Sequence, residues 1–298
     1  LKVLDLARGG KAAALNAAVA EATGDVVCLC DANVMFRPDA LGRLVEWFAV
    51  PDVGAVTGDV RLASHESDFG SGETLFYEVE RQIQRGESRF GSVIGVDGGM
   101  YVVRRELFHP IAPDTLLDDF TLSISIIRQG FRIAYEPAAI ATENGTPSSA
   151  AEFRRRVRVA AGSVQSLKRS VWPPLSRPVE FGQYLSHKLM RWLGPYVVLT
   201  LFIASLVLAG RGTLYEIALV AQAITGAIAA AAAISFRFRR TTLGGVPFYF
   251  VLSNLAMMVG HAKGLFDRQS VAWDRTERSA ISTGVAALGK SSACGGRS

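Results

Sequence analysis

The chain has 298 residues, 49% of them hydrophobic, a mean hydropathy of +0.24 and a formal net charge of +5 at pH 7. This mean hydropathy is too high for a purely soluble protein, and the basic residues come with no nucleic-acid recognition motif, so we expect no nucleic-acid partner. The apolar excess lies in residues 193–266, whereas residues 1–190 have an ordinary mixture, which predicts a soluble domain followed by membrane segments.

The first sixty residues alternate between predicted strands and helices. The predicted elements are a strand at 1–6, a helix at 12–22, a strand at 26–30, a helix that begins at Pro38 and a strand at 53–60. This order is typical of an α/β fold with a mostly parallel sheet and flanking helices. Because the chain begins with Leu1 inside such a pattern, we expect a fragment that lacks an N-terminal portion.

Four further elements are expected before residue 138. They are a helix at 68–90, a glycine-rich segment and strand within 92–103, a helix within 116–128 and a strand at 131–135 that Pro137 closes. The segment GVDGGMYVV contains Gly95, Gly98 and Gly99, which favour close approach of a ligand to the backbone. A bulged strand is the alternative interpretation.

Beyond residue 150 the chain becomes basic and then apolar. The predicted segments are a basic helix at 152–168, an amphipathic interfacial helix at 179–192 and apolar stretches at 193–210, 214–236 and 246–266. The first two apolar stretches predict a transmembrane hairpin. The third contains Asn254, His261 and Lys263, so a re-entrant or interfacial segment is the alternative to a full crossing.

The charge around the apolar stretches predicts an orientation. Arg237, Arg239 and Arg240 place the loop after the second stretch on the cytoplasmic side. We therefore expect a multi-pass protein of the cell (inner) membrane, in contact with membrane lipid, whose soluble domain is cytoplasmic.

Charged and amide side chains follow the predicted strands closely enough to form one site. The strand at 26–30 ends at Asp31 and Asn33, at the edge where open α/β sheets bind ligands. A strand followed by an Asx turn is the alternative. Carboxylate and amide oxygens suit Mg²⁺ or Mn²⁺, and Lys11 suits a phosphate.

Two further groups complete the candidate site. Asp119, at the start of a predicted helix, suits a general base, and the arginines within 154–158 suit a diphosphate. The alternative for the acidic pair is a helix N-cap with a first-turn acid, and we assign the capping role to Asp118. The alternative for the arginines is a basic helix beside the membrane.

The motifs, taken in order, resemble family 2 inverting glycosyltransferases. They are Gly10-Lys11 with Leu15-Asn16, Asp31-Ala32-Asn33, Gly98-Gly99 before Arg104-Arg105, Leu117-Asp118-Asp119-Phe120, Gly130-Phe131-Arg132 and Tyr135-Glu136-Pro137. The branch resembled is the membrane-integrated one that includes cellulose, hyaluronan, chitin and poly-N-acetylglucosamine synthases, over roughly residues 1–278. The resemblance implies a GT-A fold and a nucleotide-sugar donor, for which we expect a UDP-sugar.

The resemblance also implies residue roles. Asp31 matches the first acid of the family's Asp-X-Asp motif, which contacts nucleotide and metal, and Asn33 replaces the second acid. Lys11 matches the lysine near the nucleotide, and Asp119 matches the base that deprotonates the acceptor hydroxyl. The acceptor-binding loop is expected at Asp97, Gly98 and Gly99.

The family's Gln-X-X-Arg-Trp motif falls on residues 155–159. Arg158 is kept, whereas Arg155 replaces the glutamine and Val159 replaces the tryptophan that stacks on the acceptor sugar in polymerising members. We therefore expect Arg155 and Arg158 to bind the donor diphosphate and the enzyme to be non-processive.

These expectations combine into one prediction with two alternatives. The prediction is a membrane-bound glycosyltransferase that moves a sugar to a lipid-linked or glycan acceptor. The alternatives are a processive polysaccharide synthase and a catalytically inactive membrane subunit that binds nucleotide sugar. The expected domains are a partial GT-A domain at 1–150, interfacial helices at 151–192, a membrane domain of two or three helices at 193–266 and a tail at 267–298, disordered at its end.

Overall fold

A five-stranded sheet with helices on both faces forms the first part of the molecule. The computed structural model describes residues 2–62, 71–146 and 148–271. In chain order the elements of this part are α1 (Lys11–Ala20), β1 (Val26–Cys30), β2 (Met35–Phe36), α2 (Ala40–Glu46), β3 (Val53–Leu62), α3 (Ser71–Phe90), β4 (Met100–Arg104), α4 (Asp118–Arg128) and β5 (Arg132–Glu143). The predicted start of α3 at residue 68 lies outside the described residues.

The strand directions correct the expectation of a mostly parallel sheet. The strand order is β1-β4-β3-β5-β2, and among the described strands β3 and β5 form the one parallel pair. Strand β4 is antiparallel to both β1 and β3, and β2 is antiparallel to β5. Strands β1, β3 and β5 do share one direction, as their alternation with helices implies, but β4 is inserted between β1 and β3 in the opposite direction. The sheet is therefore mixed.

Successive residues of the central strands contribute their side chains to two separate hydrophobic clusters, one on each face of the sheet. Ala55 and Val103 face a cluster that includes the apolar side of α4, whereas Val56 and Val102 face a cluster that includes Leu44 of α2. Because both faces are covered, the first eight residues of β3 are buried, and most of them are apolar or glycine. This two-sided core fixes where the strands end, and therefore where the candidate site lies.

Strand β5 continues well past the predicted end at Pro137. Gly58 and Asp59 are adjacent in β3, yet their partners in β5 are Glu136 and Ile140. The three intervening residues form a bulge, which accommodates the proline, and pairing then resumes as far as Glu143. The prediction that Pro137 closes the strand is therefore wrong.

The predicted strand at 1–6 is also wrong within its described residues. Residues 2–9 form no helix or strand, and Val3 is 80% exposed. Alternating apolar residues form a strand only where a neighbouring strand satisfies their backbone, and β1 is paired on its β4 side alone in the described sheet.

The remaining helices form the apolar part of the molecule. They are α5 (Ser149–Lys168), α6 (Pro178–Gln183), α7 (Met190–Val207), α8 (Thr213–Ile234), α9 (Phe236–Arg239) and α10 (Thr242–Leu265), with a π-helical turn at Tyr184–Leu189 that joins α6 to α7. Three helices, Pro178–Val207, α8 and α10, are long and apolar enough to cross a membrane. Of the tail predicted at 267–298, residues 272–298 lie outside the described residues.

Helix α10 packs side by side with α5 through glycines. A Cβ atom added at Gly260 would lie 2.3 Å from the backbone oxygen of Val157, and one at Gly264 would lie 2.8 Å from that of Ala161. At one end of this contact Tyr249 donates a hydrogen bond to Glu152, and at the other Lys168 donates to the backbone oxygen of Gly264. The two helices therefore touch along most of their length.

We predict that Gly260→Ala destabilises the protein. The new methyl group has no room between the two backbones, so the helices must separate, at a cost of about 1–3 kcal/mol in the free energy of unfolding. Thermal unfolding of the detergent-solubilised protein measures the loss. The control is Gly226→Ala in α8, where no atom lies within 4 Å of the added Cβ. Equal unfolding temperatures for the two variants would show that the α5–α10 contact is not tight.

Candidate active site

The side chain of Lys11 forms ion pairs with one acid just after strand β1 and with another in the first turn of helix α4. Lys11 is the first residue of α1 and follows Gly10, whose φ of 87° is in the left-handed region that favours glycine. Its Nζ lies 2.8 Å from Asp31 and 3.4 Å from Asp118. Burial would lower the pKa of Lys11, but attraction to Asp118, Asp31 and Asp119 outweighs it and raises that pKa above its usual range.

The acidic pair lies in the first turn of α4, but Asp118 does not cap the helix. Leu117 occupies the N-cap position and no side chain caps the helix, so the assignment of Asp118 as the cap is wrong. Asp118 is instead buried with its carboxylate towards Lys11. Burial and repulsion from Asp119 raise the pKa of Asp118, and Lys11 opposes the shift.

Asp119 is half-buried and lies against the glycine-rich loop. Its Oδ1 accepts a hydrogen bond of 2.7 Å from the backbone N–H of Phe120. Its Oδ2 lies 3.1 Å from the position that a Cβ atom of Gly98 would occupy. The absence of a side chain at Gly98 therefore allows the loop backbone to lie close to the second carboxylate oxygen.

The loop that carries Gly98 is fixed to the sheet by hydrogen bonds. Asp97 accepts from the backbone N–H of Gly99 at 2.9 Å, and the N–H of Asp97 donates to the hydroxyl of Thr57 in β3 at 3.0 Å. Gly95 lies elsewhere, with Lys188 3.2 Å from its hypothetical Cβ. Of the three glycines expected near a ligand, Gly98 and Gly99 therefore border the acids.

Asp97 has an unusual protonation equilibrium. Burial raises the pKa of Asp97 to about 7, repulsion from Glu143, Asp119 and Asp31 adds to the shift, and the Gly99 N–H opposes it. The carboxyl group therefore changes its charge near neutral pH, within the same group of acids that contains the predicted base.

Asn33 is held by a residue that sequence reasoning missed. Its side-chain Nδ2 donates to Oε2 of Glu143 at 3.3 Å. Glu143 is the last residue of β5, beyond the point at which Pro137 was predicted to end the strand. A prediction that continued β5 past Pro137 as far as residue 143 would have placed this acid near the site.

The two arginines predicted to bind the donor have different surroundings. Arg155 makes two hydrogen bonds to buried Glu152, at 2.7 and 2.8 Å. Burial lowers the pKa of Arg158 to about 10, and the attraction of Asp119, Asp118 and Asp31 opposes the shift. Arg158 is therefore the arginine that lies within electrostatic reach of the site acids, whereas the guanidinium of Arg155 is already paired.

The oxygen donors fit a divalent cation that is shared with a phosphate ligand. Asp31 is 41% exposed in its side chain, and Asn33 follows it in the same turn, where the N–H of Val34 donates to the backbone oxygen of Asp31. The described residues contain no group of three His, Cys, Asp or Glu side chains arranged for a metal. Mg²⁺ and Mn²⁺ are commonly held by one or two protein oxygens together with phosphates, so this pair meets that requirement.

Comparison with known proteins identifies the family. Residues 1–162, more than half of the chain, match the family described as "Glycosyltransferase like family 2". The chain belongs to this family, and it is a glycosyltransferase. The expected family and enzyme class are confirmed.

Curated relatives match the same part of the chain. The poly-beta-1,6-N-acetyl-D-glucosamine synthase of Staphylococcus epidermidis is 28% identical over 171 residues, which are 56% of this chain and 42% of that protein. The synthase of Staphylococcus aureus is 29% identical over 165 residues, 54% of this chain and 40% of that protein. The matched part thus spans about two fifths of these relatives. With the three apolar helices, the likeness indicates a membrane protein.

A solved structure confirms the fold. The mannosyltransferase PcManGT from Pyrobaculum calidifontis, in complex with GDP-Man and Mn²⁺, has a TM-score of 0.59 and 26% sequence identity. The match covers 87% of this chain and 68% of that one. The domain has the predicted GT-A fold, with a mixed sheet and flanking helices.

We predict that Asp97 makes stability fall as pH rises from about 4 to 7. Its folded-state pKa of about 7 exceeds the ordinary value of 3.8, so the folded protein binds more protons than the unfolded chain in this window, and that advantage is lost as pH rises through 7. Asp97→Asn keeps an oxygen for the Gly99 N–H and makes this slope shallower. Thermal unfolding in EDTA from about pH 5 to 8 measures it.

The control for this pH series is Asp114→Asn. Asp114 is exposed, and its hydrogen bond with Arg169 lowers the pKa of the carboxyl group, so it stays ionised throughout the window. Its substitution is expected to leave the slope unchanged. A wild-type slope that survives Asp97→Asn would place the titrating group elsewhere.

Proposed function

We propose that this protein is a membrane-bound inverting glycosyltransferase that moves one sugar from a UDP-sugar to a lipid-linked or glycan acceptor. The observation that carries the proposal is the convergence of Lys11, Asp31 and Asp119 at the mouth of the sheet. Lys11 lies 2.8 Å from Asp31, and the carboxylate of Asp119 lies against Gly98.

The donor diphosphate is the natural ligand of the positive groups. Lys11 and Arg158 are both half-buried cations attracted by the site carboxylates, so a diphosphate at the sheet mouth would find two positive charges close by. Asp31 and Asn33 would hold the Mg²⁺ or Mn²⁺, which when bound neutralises charge on the leaving diphosphate. Arg155 would contribute through its position beside Arg158 rather than by direct contact, because Glu152 holds its guanidinium.

Asp119 is assigned as the general base. In a single displacement the acceptor oxygen forms a bond to the anomeric carbon while the bond from that carbon to the diphosphate oxygen breaks on the opposite face. The hydroxyl proton passes to Asp119, and the diphosphate leaves with the electron pair. Asp97, Gly98 and Gly99 would form the acceptor side, since Gly98 lies against the carboxylate of Asp119.

The membrane part supports an acceptor that is delivered at the bilayer. We propose that the apolar stretches at 193–210 and 214–236 form a hairpin in the cell (inner) membrane and that Arg237, Arg239 and Arg240 keep the catalytic domain cytoplasmic. Such a site would face membrane lipid and receive soluble nucleotide sugar from the cytoplasm.

A processive polysaccharide synthase is the second candidate. It is favoured by the curated relatives, which are named as poly-N-acetylglucosamine synthases. Val159 argues against it, because it stands where the polymerising members place a tryptophan against the acceptor sugar. An inactive nucleotide-sugar-binding subunit is the third candidate, since Asn33 replaces an acid of the family motif.

We predict that Asp119→Asn lowers sugar transfer by about 10²–10⁴-fold and leaves donor affinity unchanged, because asparagine is isosteric but accepts no proton. Full-length protein in detergent, supplied with a panel of UDP- and GDP-sugars, provides the assay, and calorimetry with the nucleotide gives the affinity. Asp114→Asn, an exposed acid outside the site, is the control and should retain activity. Undiminished transfer by Asp119→Asn would remove the base assignment, and an inactive wild-type protein would favour the third candidate.

We predict that the product carries one added sugar. Mass spectrometry of a labelled acceptor after exhaustive reaction with donor separates the first two candidates. A single increment in mass supports the proposed transferase, because Val159 offers no aromatic surface to retain a growing chain. A ladder that extends to long polymer would instead establish processive synthesis.

A further inference from the structure

The sheet brings Asn33 next to a carboxylate 110 positions later in the chain. Strand β2 is only two residues long and pairs with the far end of β5, with Met35 opposite Thr142. That end of β5 exists because the strand resumes after its bulge. The pairing leaves Asn33, just before β2, beside Glu143, the final residue of β5.

The hydrogen bond between them determines which way the amide points. An ionised carboxylate only accepts hydrogen bonds, and only the nitrogen side of an amide donates them. The contact of 3.3 Å from Nδ2 of Asn33 to Oε2 of Glu143 therefore turns the amide oxygen to the opposite side. The oxygen is the atom that a hard cation or a ribose hydroxyl would use.

Glu143 also contributes negative charge to the group of site acids. After burial, its repulsion is the largest contribution to the raised pKa of Asp97. Residue 33 itself carries no charge, whereas the motif that it resembles has an acid there. Asp31 and Glu143 together thus supply two carboxylates close to Asn33.

We propose that Glu143 is a positioning residue of the donor site, which replaces the missing acid at residue 33 by supplying its charge and by orienting the Asn33 amide oxygen towards the donor and its metal ion. This inference rests on the proposed transferase function. Groups that orient metal ligands in this way commonly change metal affinity by about 10–100-fold when they are removed.

Glu136, on the same strand, is a control that distinguishes the proposed role of Glu143 from a purely structural one. Glu136 accepts a hydrogen bond of 2.8 Å from the indole nitrogen of Trp47 and one of 2.8 Å from the N–H of Ala138. It therefore has the same residue type, strand and kind of contact as Glu143. Glu136→Gln should disturb the strand at least as much as Glu143→Gln and leave metal and nucleotide binding unchanged.

The test exchanges the charge across the hydrogen bond. The variants are Glu143→Gln, Asn33→Asp and the two combined. In the combined variant the introduced amide donates to the introduced carboxylate, so the pair keeps its hydrogen bond and its single negative charge. The measurement is Mn²⁺ affinity of the full-length protein with UDP present, and in parallel with GDP, from the electron paramagnetic resonance signal of free Mn²⁺. Unfolding temperatures check that all variants are folded.

We expect Glu143→Gln alone to weaken Mn²⁺ binding by about 10–100-fold and the combined variant to restore it. In the Asn33→Asp background, removal of the Glu143 charge should not weaken Mn²⁺ binding, because the carboxylates at positions 33 and 143 would otherwise repel each other. Unchanged affinity in Glu143→Gln, or failure of the combined variant to recover, would overturn the inference.

The two proposals fail in different ways. Nucleotide binding that is equal with and without Mn²⁺ in a wild-type protein that transfers sugar would overturn the inference alone. A folded wild-type protein that turns over no sugar nucleotide would overturn the transferase proposal, and the inference with it.

Discussion

The site depends on one half-buried cation among three carboxylates. Lys11 lies 2.8 Å from Asp31 and 3.4 Å from Asp118, and Asp119 adds to the field that keeps it charged. Without the ammonium group, acids from the end of β1 and the start of α4 would repel one another across a partly buried gap. The lysine therefore holds these acids together, in addition to its proposed role as a ligand for phosphate. A diphosphate that binds here would pair with the positive charge of Lys11 in competition with these acids. Donor binding would therefore depend on the position of α1 relative to α4.

The acids of the site are differentiated by their surroundings. Asp118 is buried against Lys11, Asp119 accepts a backbone N–H with one oxygen and has the other beside Gly98, and Asp97 is held by its own loop. Burial and mutual repulsion raise the pKa values of Asp118 and Asp97. Groups of the same chemical type in such different environments can divide the tasks of charge balance, proton acceptance and loop positioning.

Sequence reasoning reached the local features of this site and missed those that depend on long-range pairing. The apolar run of β1 and the acid at its end could be predicted, because consecutive residues are enough to indicate a buried strand and its boundary. The reversed insertion of β4 could not, since it depends on which strands pair and not on their composition. Glu143 was missed for the same reason: Pro137 correctly signals an interruption of pairing, but only the opposite strand shows that pairing resumes. The cap assignment to Asp118 failed because Lys11, from a helix near the start of the chain, attracts that carboxylate in the folded protein.

The third apolar helix packs closely against the helix that supplies the site arginine. Glu152 in α5 is fully buried, and Arg155, Arg156 and the hydroxyl of Tyr249 from α10 all bond to it. Further along α5, Arg158 faces the site acids. The position of Arg158 is thus set by a polar cluster that α10 completes and by the glycine contact that keeps the two helices together. A shift of α10 would be transmitted along α5 to the charge that faces the site acids, so the apolar helices contribute to the geometry of the candidate site.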